Sequence, residues 1–457
     1  SDLNELQIDW KHFYLGVLAL VIPMALQNLI NVGVTAADVV MLGRVGETAL
    51  SGSSLAGQVQ YIMTLFLFGL TSGATVLTAQ YWGKKDAASI EEVMPIALRT
   101  NLIFSGAFTV FAAVAPEVLM RIFTSDPALI ESGAVYLRAV SLSYLLCGIS
   151  QIYLILLKNT GYATVSSRIS CTAVVVNIIC NAILIYGLLG LPALGIQGAA
   201  YATVAARLVE LIWSYLETKQ SGRVQIIWKK MFRAADAILT KDFWRYTTPV
   251  LGAALVWGIA YVSYSVIMGH MGSDAVAANS ITTIAKNMLS CLIRGVSGGA
   301  GVLIGNLLGA GELDKAKVYG GRLTRMAIVV GMTTGGLLML ISPLIVRFAP
   351  LSETAAEYLQ YMLIFCGCNI MAQSVNTTVL DGIFCAGGDS KFDMKGNLGA
   401  MWCFSVPFGF FAAFVLKWPV MVVYCIVNLD EIVKIPAVYL HYKKYIWVRN
   451  ITVQEDA

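Results

Sequence analysis

Asp38 follows an uncharged run, residues 13–37, long enough for a helix to cross a bilayer. A carboxylate at membrane depth is costly and usually faces water or a partner. In a low-dielectric cavity such a group can take up a proton near neutral pH and release it when the cavity hydrates, which is the chemistry of ion coupling. The simpler alternative is a residue that snorkels or caps at the interface. Asn177 and Asn181, four residues apart, share a helix face and can hydrogen-bond either protonation state of a carboxyl group.

Cations raise a second question. Lys286 and Arg294 are eight residues apart and lie near one face of a single span. Each must meet an acid or line a water-filled cleft, because an unpaired charge in the membrane is costly. Pairing is the simpler reading; cleft lining would disfavour a purely cationic cargo and suit an anionic or zwitterionic one. Asp381, just before Gly382, either reaches the cytoplasmic boundary or acts as a gate in the second half. Asp430 and Lys434, with Glu431 beside them, read as an ion pair at the interface, and Arg207 with Glu210 reads the same way. Trp257, Tyr261, Tyr264, Met268 and Met288 are mostly packing residues. Gln27, Asn31, Gln80, Trp257 and Tyr264 are the cleft candidates beside Lys286, Arg294 and Asp381, since aromatic and Met surfaces suit varied apolar cargo.

No set of residues here reads as an enzyme or a metal site. His12, His270 and His441 are scattered without a His-Glu-x-x-His pattern, and the nine cysteines contain no Cys-x-x-Cys pair. No nucleophile clusters with a base. No cofactor and no bound metal are therefore expected, only a transported proton or, less readily, sodium.

The elements that must hold these residues are membrane helices. Of 457 residues, 58% are hydrophobic and 13% charged, against about 25% charged in an ordinary soluble domain. Twelve spans are expected, at 12–40, 50–80, 93–116, 133–157, 165–187, 194–216, 246–269, 275–307, 320–347, 354–383, 396–416 and 418–442, giving an all-α polytopic membrane protein. The first run follows an acidic, polar start rather than a basic region with a cleavage site, so it is expected to be a span and not a signal peptide. The break after 187 rests on Gly187, Gly190, Pro192 and Gly195. Basic residues concentrate in the even-numbered connections and after the last span, which places both termini in the cytoplasm of a plasma-membrane protein. Net charge is +4 and spread over loops, so nucleic acid is not an expected partner. The partners are the bilayer and a small amphipathic molecule, handled by a monomer.

A basic segment, 218–245, divides six spans from six: 1–217, the linker 218–245, and 246–457. The linker is expected to hold a short interfacial helix. Shifting the second half by 226 aligns Pro23 with Pro249, Gly43 with Gly269, Gly46 with Gly272, Gly69 with Gly295, Gly73 with Gly299 and Gly83 with Gly309. Matched Gly and Pro residues mark positions that need a kink or a close helix approach. A parallel repeat with a central cleft is the architecture of an alternating-access transporter. A channel would more often assemble identical pore rings.

The segments PMALQNLINVGVTAADVVMLGRVG from Pro23, PVLGAALVWGIAYVSYSVIMGHMG from Pro249, GLTSGATVLTAQYWGKKD from Gly69, GIQGAAYATVAA from Gly195 and FCAGGDSKF from Phe384 resemble the multidrug and toxic compound extrusion family. The resemblance runs over nearly the whole chain. It implies two six-helix bundles in a V that export amphipathic, often cationic compounds in exchange for protons or sodium. It further implies that Asp38 is the coupling carboxylate, with Asn177, Asn181 and Thr203 around it and Gln80 as a polar residue of the second span. Asn181 stands where an acid is usual, which favours protons over sodium. A seventh-span acid of one branch falls on Trp257 and a tenth-span acid falls near Ser374, so a second-bundle sodium site of that kind is not expected. The runner-up function is a lipid-linked precursor flippase of the same superfamily.

Overall fold

The computed structural model describes residues 9–123, 125–232, 237–349 and 351–453. Among them the chain is helical, with no strand. The first half contains α1 (Trp10–Val45), α2 (Glu47–Gly83), α3 (Ala87–Val114), a short α4 (Pro116–Phe123), α5 (Pro127–Asn159), α6 (Ala163–Tyr186) and α7 (Ile196–Thr218). The second half contains α8 (Ala237–Gly269), α9 (Ser273–Gly309), α10 (Leu313–Phe348), α11 (Glu353–Thr377), α12 (Lys391–Asn397), α13 (Val406–Phe410), α14 (Val420–Val427) and α15 (Asp430–Lys443). Widened π turns extend α11 over Thr378–Phe384 and join α12 to α13 over Leu398–Ser405.

These helices give twelve crossing segments, because α12–α13 and α14–α15 each form one interrupted segment. Among the described residues, ten helical stretches are long and apolar enough to span a membrane. The other two fall short: α7 carries Arg207, Glu210 and Glu217, and α14–α15 is broken at Asn428–Leu429 into helices of 8 and 14 residues. Local chemistry sets the boundaries. The Asp86 side chain caps α3 by accepting from Ser89 N, and Asp126 with Pro127 opens α5. Gly187 ends α6 at φ 71°, where a residue with a Cβ would be strained.

Helix α8 begins at Ala237, inside the stretch expected to be linker. The linker's short helix is a single 3-10 turn, Trp228–Phe232. It is held to the first half, because the Trp228 indole donates to the Tyr153 hydroxyl at 2.6 Å and Lys230 pairs with Glu92.

The chain forms two compact units. One comprises residues 1–28, 83–85 and 248–457, and the other 29–82 and 86–247. Helix α1 thus contributes its first part to one unit and its second part to the other, and α8 does the reverse. Packing carries the 226-residue repeat. A Cβ on Gly73 would lie 2.0 Å from Thr247 Oγ1, and one on Gly299 would lie 3.0 Å from Val21 Cγ2. Both members of the second contact are 226 residues from their counterparts in the first. The glycines are needed because the first helix of each half crosses directly over them. The core of one unit centres on Val17, Val21, Ile304, Leu323, Phe384 and Trp447. That of the other centres on Leu42, Met63, Leu137, Tyr144 and Ile185.

Candidate ion and cargo sites

In the unit containing 29–82 and 86–247, α6 carries Asn177 and Asn181 one turn apart. Asn181 Nδ2 donates to Asp38 Oδ1. One turn beyond Asn181, the Tyr186 hydroxyl donates to Met41 O at 2.9 Å, fixing the two helices in register. Asp38 is half-buried, Asn181 is fully buried and Asn177 is 8% exposed. The Oδ1 atoms of Asn177 and Asn181 are buried and accept no hydrogen bond among the described residues. Thr203 joins from α7. Its hydroxyl donates to Ala199 O at 3.1 Å, and its side chain also hydrogen-bonds Tyr136, which lies within electrostatic reach of Asp38. Asn181 thus bonds the Asp38 carboxylate directly and Thr203 is linked to it through Tyr136 of α5, a residue that sequence reasoning did not single out, while Asn177 lies one turn away on α6. The only signal of Tyr136 was position: a polar group on a long apolar helix.

Arg207 and Glu210 form the expected ion pair, at 3.0 Å. It is not exposed: Glu210 is 3% exposed and also accepts from Ser150 of α5 at 2.8 Å.

The other unit holds a larger group of charges. Asp430, Glu431 and Lys434 are 5%, 8% and 5% exposed, so the expected interfacial pair is a buried cluster. The partner of Lys434 is Glu431, at 3.7 Å, rather than Asp430. Glu431 also accepts from Asn376 Nδ2 at 2.9 Å. Asp381, on the π turn after α11, is exposed and hydrogen-bonds Asp393 of α12. The last helix has no continuous apolar face because its first turn, after the break at Asn428–Leu429, is spent on this cluster.

Beside it lies a pocket lined by Tyr261, Tyr264, Tyr424, Asn279, Thr283 and Lys286, among others. Tyr264 is 8% exposed and its hydroxyl donates to Asp430 Oδ2 at 3.3 Å. Trp257 stacks on Tyr261 with ring centres 5.3 Å apart and does not itself line the pocket. Arg294 is exposed and outside it, so the structure separates the two cations that spacing had placed together. Gln27 is half-buried, Asn31 is exposed, and Gln80 is fully buried within α2.

A helical membrane protein built from a repeated six-span unit, with an ionisable site in each half, is a transporter in its class. The model of the MatE family matches residues 23–183 and again 249–411, and the two starts differ by the 226 residues of the repeat. The chain belongs to the MatE family, whose members are transporters rather than enzymes. It is similar to the uncharacterized transporter YisQ of Bacillus subtilis, at 21% identity over 91% of this chain and 90% of that protein. It is also similar to a probable multidrug resistance protein NorM of Agrobacterium fabrum, at 22% over 82% and 79%. Among solved structures, a MOP superfamily transporter from Pyrococcus furiosus shares the fold with a TM-score of 0.85 at 18% identity, over 94% of this chain and 95% of the other.

Proposed function

We propose that this protein exports small amphipathic compounds across the plasma membrane in exchange for protons, by alternating access, with Asp38 as the coupling carboxylate. It works as a single chain with both termini in the cytoplasm. Relatives described as probable multidrug resistance proteins support the export reading. One observation carries the coupling: a half-buried carboxylate accepts its hydrogen bond from the fully buried Asn181. Asn181 turns its NH2 towards Asp38, whereas a sodium ion would need the amide oxygen on that side. Protonation thus changes what Asp38 can bond within α6 and α7, and alternating access needs such a state-dependent bond.

A lipid-linked precursor flippase would be expected to gather several cations for its pyrophosphate. The pocket offers Lys286 alone. Transport in proteoliposomes, with proton and sodium gradients imposed separately, tests the reading. Export driven by the proton gradient and indifferent to sodium is expected; export driven by sodium alone would overturn it.

A further inference from the structure

Lys286 enters the pocket of the second unit from α9, with Tyr261 and Tyr264 from α8, Tyr424 from α14, and Asn279 and Thr283 from its own helix. Its ammonium makes no hydrogen bond and no ion pair among the described residues. Two acids lie within electrostatic reach, Asp430 and Glu431, but both are engaged elsewhere. Asp430 accepts from Tyr264, and Glu431 accepts from Asn376 and pairs with Lys434. Three ammonium donors are therefore left facing a space walled by aromatic rings, hydroxyls and amides. An ammonium inside a membrane bundle calls for a counter-charge, and among the described residues no acid closes on it.

We propose that this pocket binds the anionic end of an amphipathic cargo, an organic carboxylate held on Lys286 with its apolar part against Tyr261 and Tyr424. The tyrosine rings supply flat apolar area, and their hydroxyls together with Asn279 and Thr283 supply polar contacts around the charge. A carboxylate takes two or three charge-assisted bonds from one ammonium and the neighbouring hydroxyls. A quaternary ammonium would meet Lys286 with like charge. This inference rests on the export reading for the identity of the ligand as cargo.

The test is calorimetric binding to the full chain in a non-ionic detergent, with no ion gradient, so its failure and a failure of proton coupling are separable. The probes are 4-phenylbutyrate, its amide, and phenylbutyl-trimethylammonium. The carboxylate is expected to bind at least tenfold more tightly than either of the others. Lys286→Gln removes that preference, Lys286→Arg keeps it, and Arg294→Gln leaves it unchanged. Thr283→Val, a smaller change in the same wall, weakens the carboxylate at least threefold and leaves the amide unaffected. Equal affinity for the three probes in the wild type, or a preference that survives Lys286→Gln, would overturn the proposal.

Discussion

Where the first half carries Asp38, the second carries Tyr264, 226 residues later. Asp38 is one carboxylate among neutral amides and hydroxyls, and its bond to Asn181 is local to two helices. Tyr264 does not ionise in the working range of pH; it passes a hydrogen bond to Asp430, in a cluster with Glu431, Lys434, Asp381 and Asp393. A lone carboxylate can change charge more readily where, as among the described residues around Asp38, no cation pairs with it. A compensated cluster resists such change, because removing one member leaves the others buried and unpaired. The repeat supplies two equivalent positions; on the proposed function the side chains make one a switch, and the other adjoins a cation-bearing pocket.

That contrast can be broken by mutation, most forcefully in the cluster. Lys434→Met leaves the buried carboxylates without their shared partner and should cost about 3–5 kcal/mol, read as a fall in thermal stability in detergent. A loss below about 1 kcal/mol would mean the cluster is not a compensated unit. Next come the paired glycines: Gly73→Ala and Gly299→Ala should each cost about 1–3 kcal/mol through overpacking. The first should exceed the second, because its Cβ would meet Thr247 at 2.0 Å against 3.0 Å to Val21. Asn181→Ala sharpens the contrast from the other side. Its stability cost should be only about 1 kcal/mol, while proton-driven transport should slow about tenfold, the equivalent of 1.4 kcal/mol in a barrier. The smallest effect belongs to the exposed Arg138–Glu117 pair, whose side chains are 57% and 44% exposed. Glu117→Gln should change the melting point by an amount worth less than about 1 kcal/mol and leave transport as it is.

Much of this arrangement was legible in the residues themselves. The spans followed from apolar runs, and the repeat from matched Gly and Pro, because a close crossing tolerates so few residue types. Asp38 with Asn177 and Asn181 was visible because an acid and two amides are conspicuous in apolar helices. Tyr136 was not, since a tyrosine on a long helix reads as packing until its hydroxyl is placed. The second cluster was misread for a definite reason. Asp430, Glu431 and Lys434 satisfy a local i, i+4 ion-pair pattern near the end of a span, and local spacing cannot reveal that Asp381, Asp393 and Asn376 are folded against them. Nor does spacing give the facing of Lys286 and Arg294: eight residues on a long helix span more than two turns, and only the neighbouring helices decide which one is enclosed.

The most direct test of the account is gradient-driven export by Asp38→Asn in proteoliposomes, with folding confirmed by its retained elution profile and thermal transition. Asparagine preserves the size and the hydrogen bonds of the site and removes the titration. The account predicts that export driven by a proton gradient falls to the level of empty vesicles. Export retained at the wild-type rate would contradict it and remove Asp38 from the mechanism.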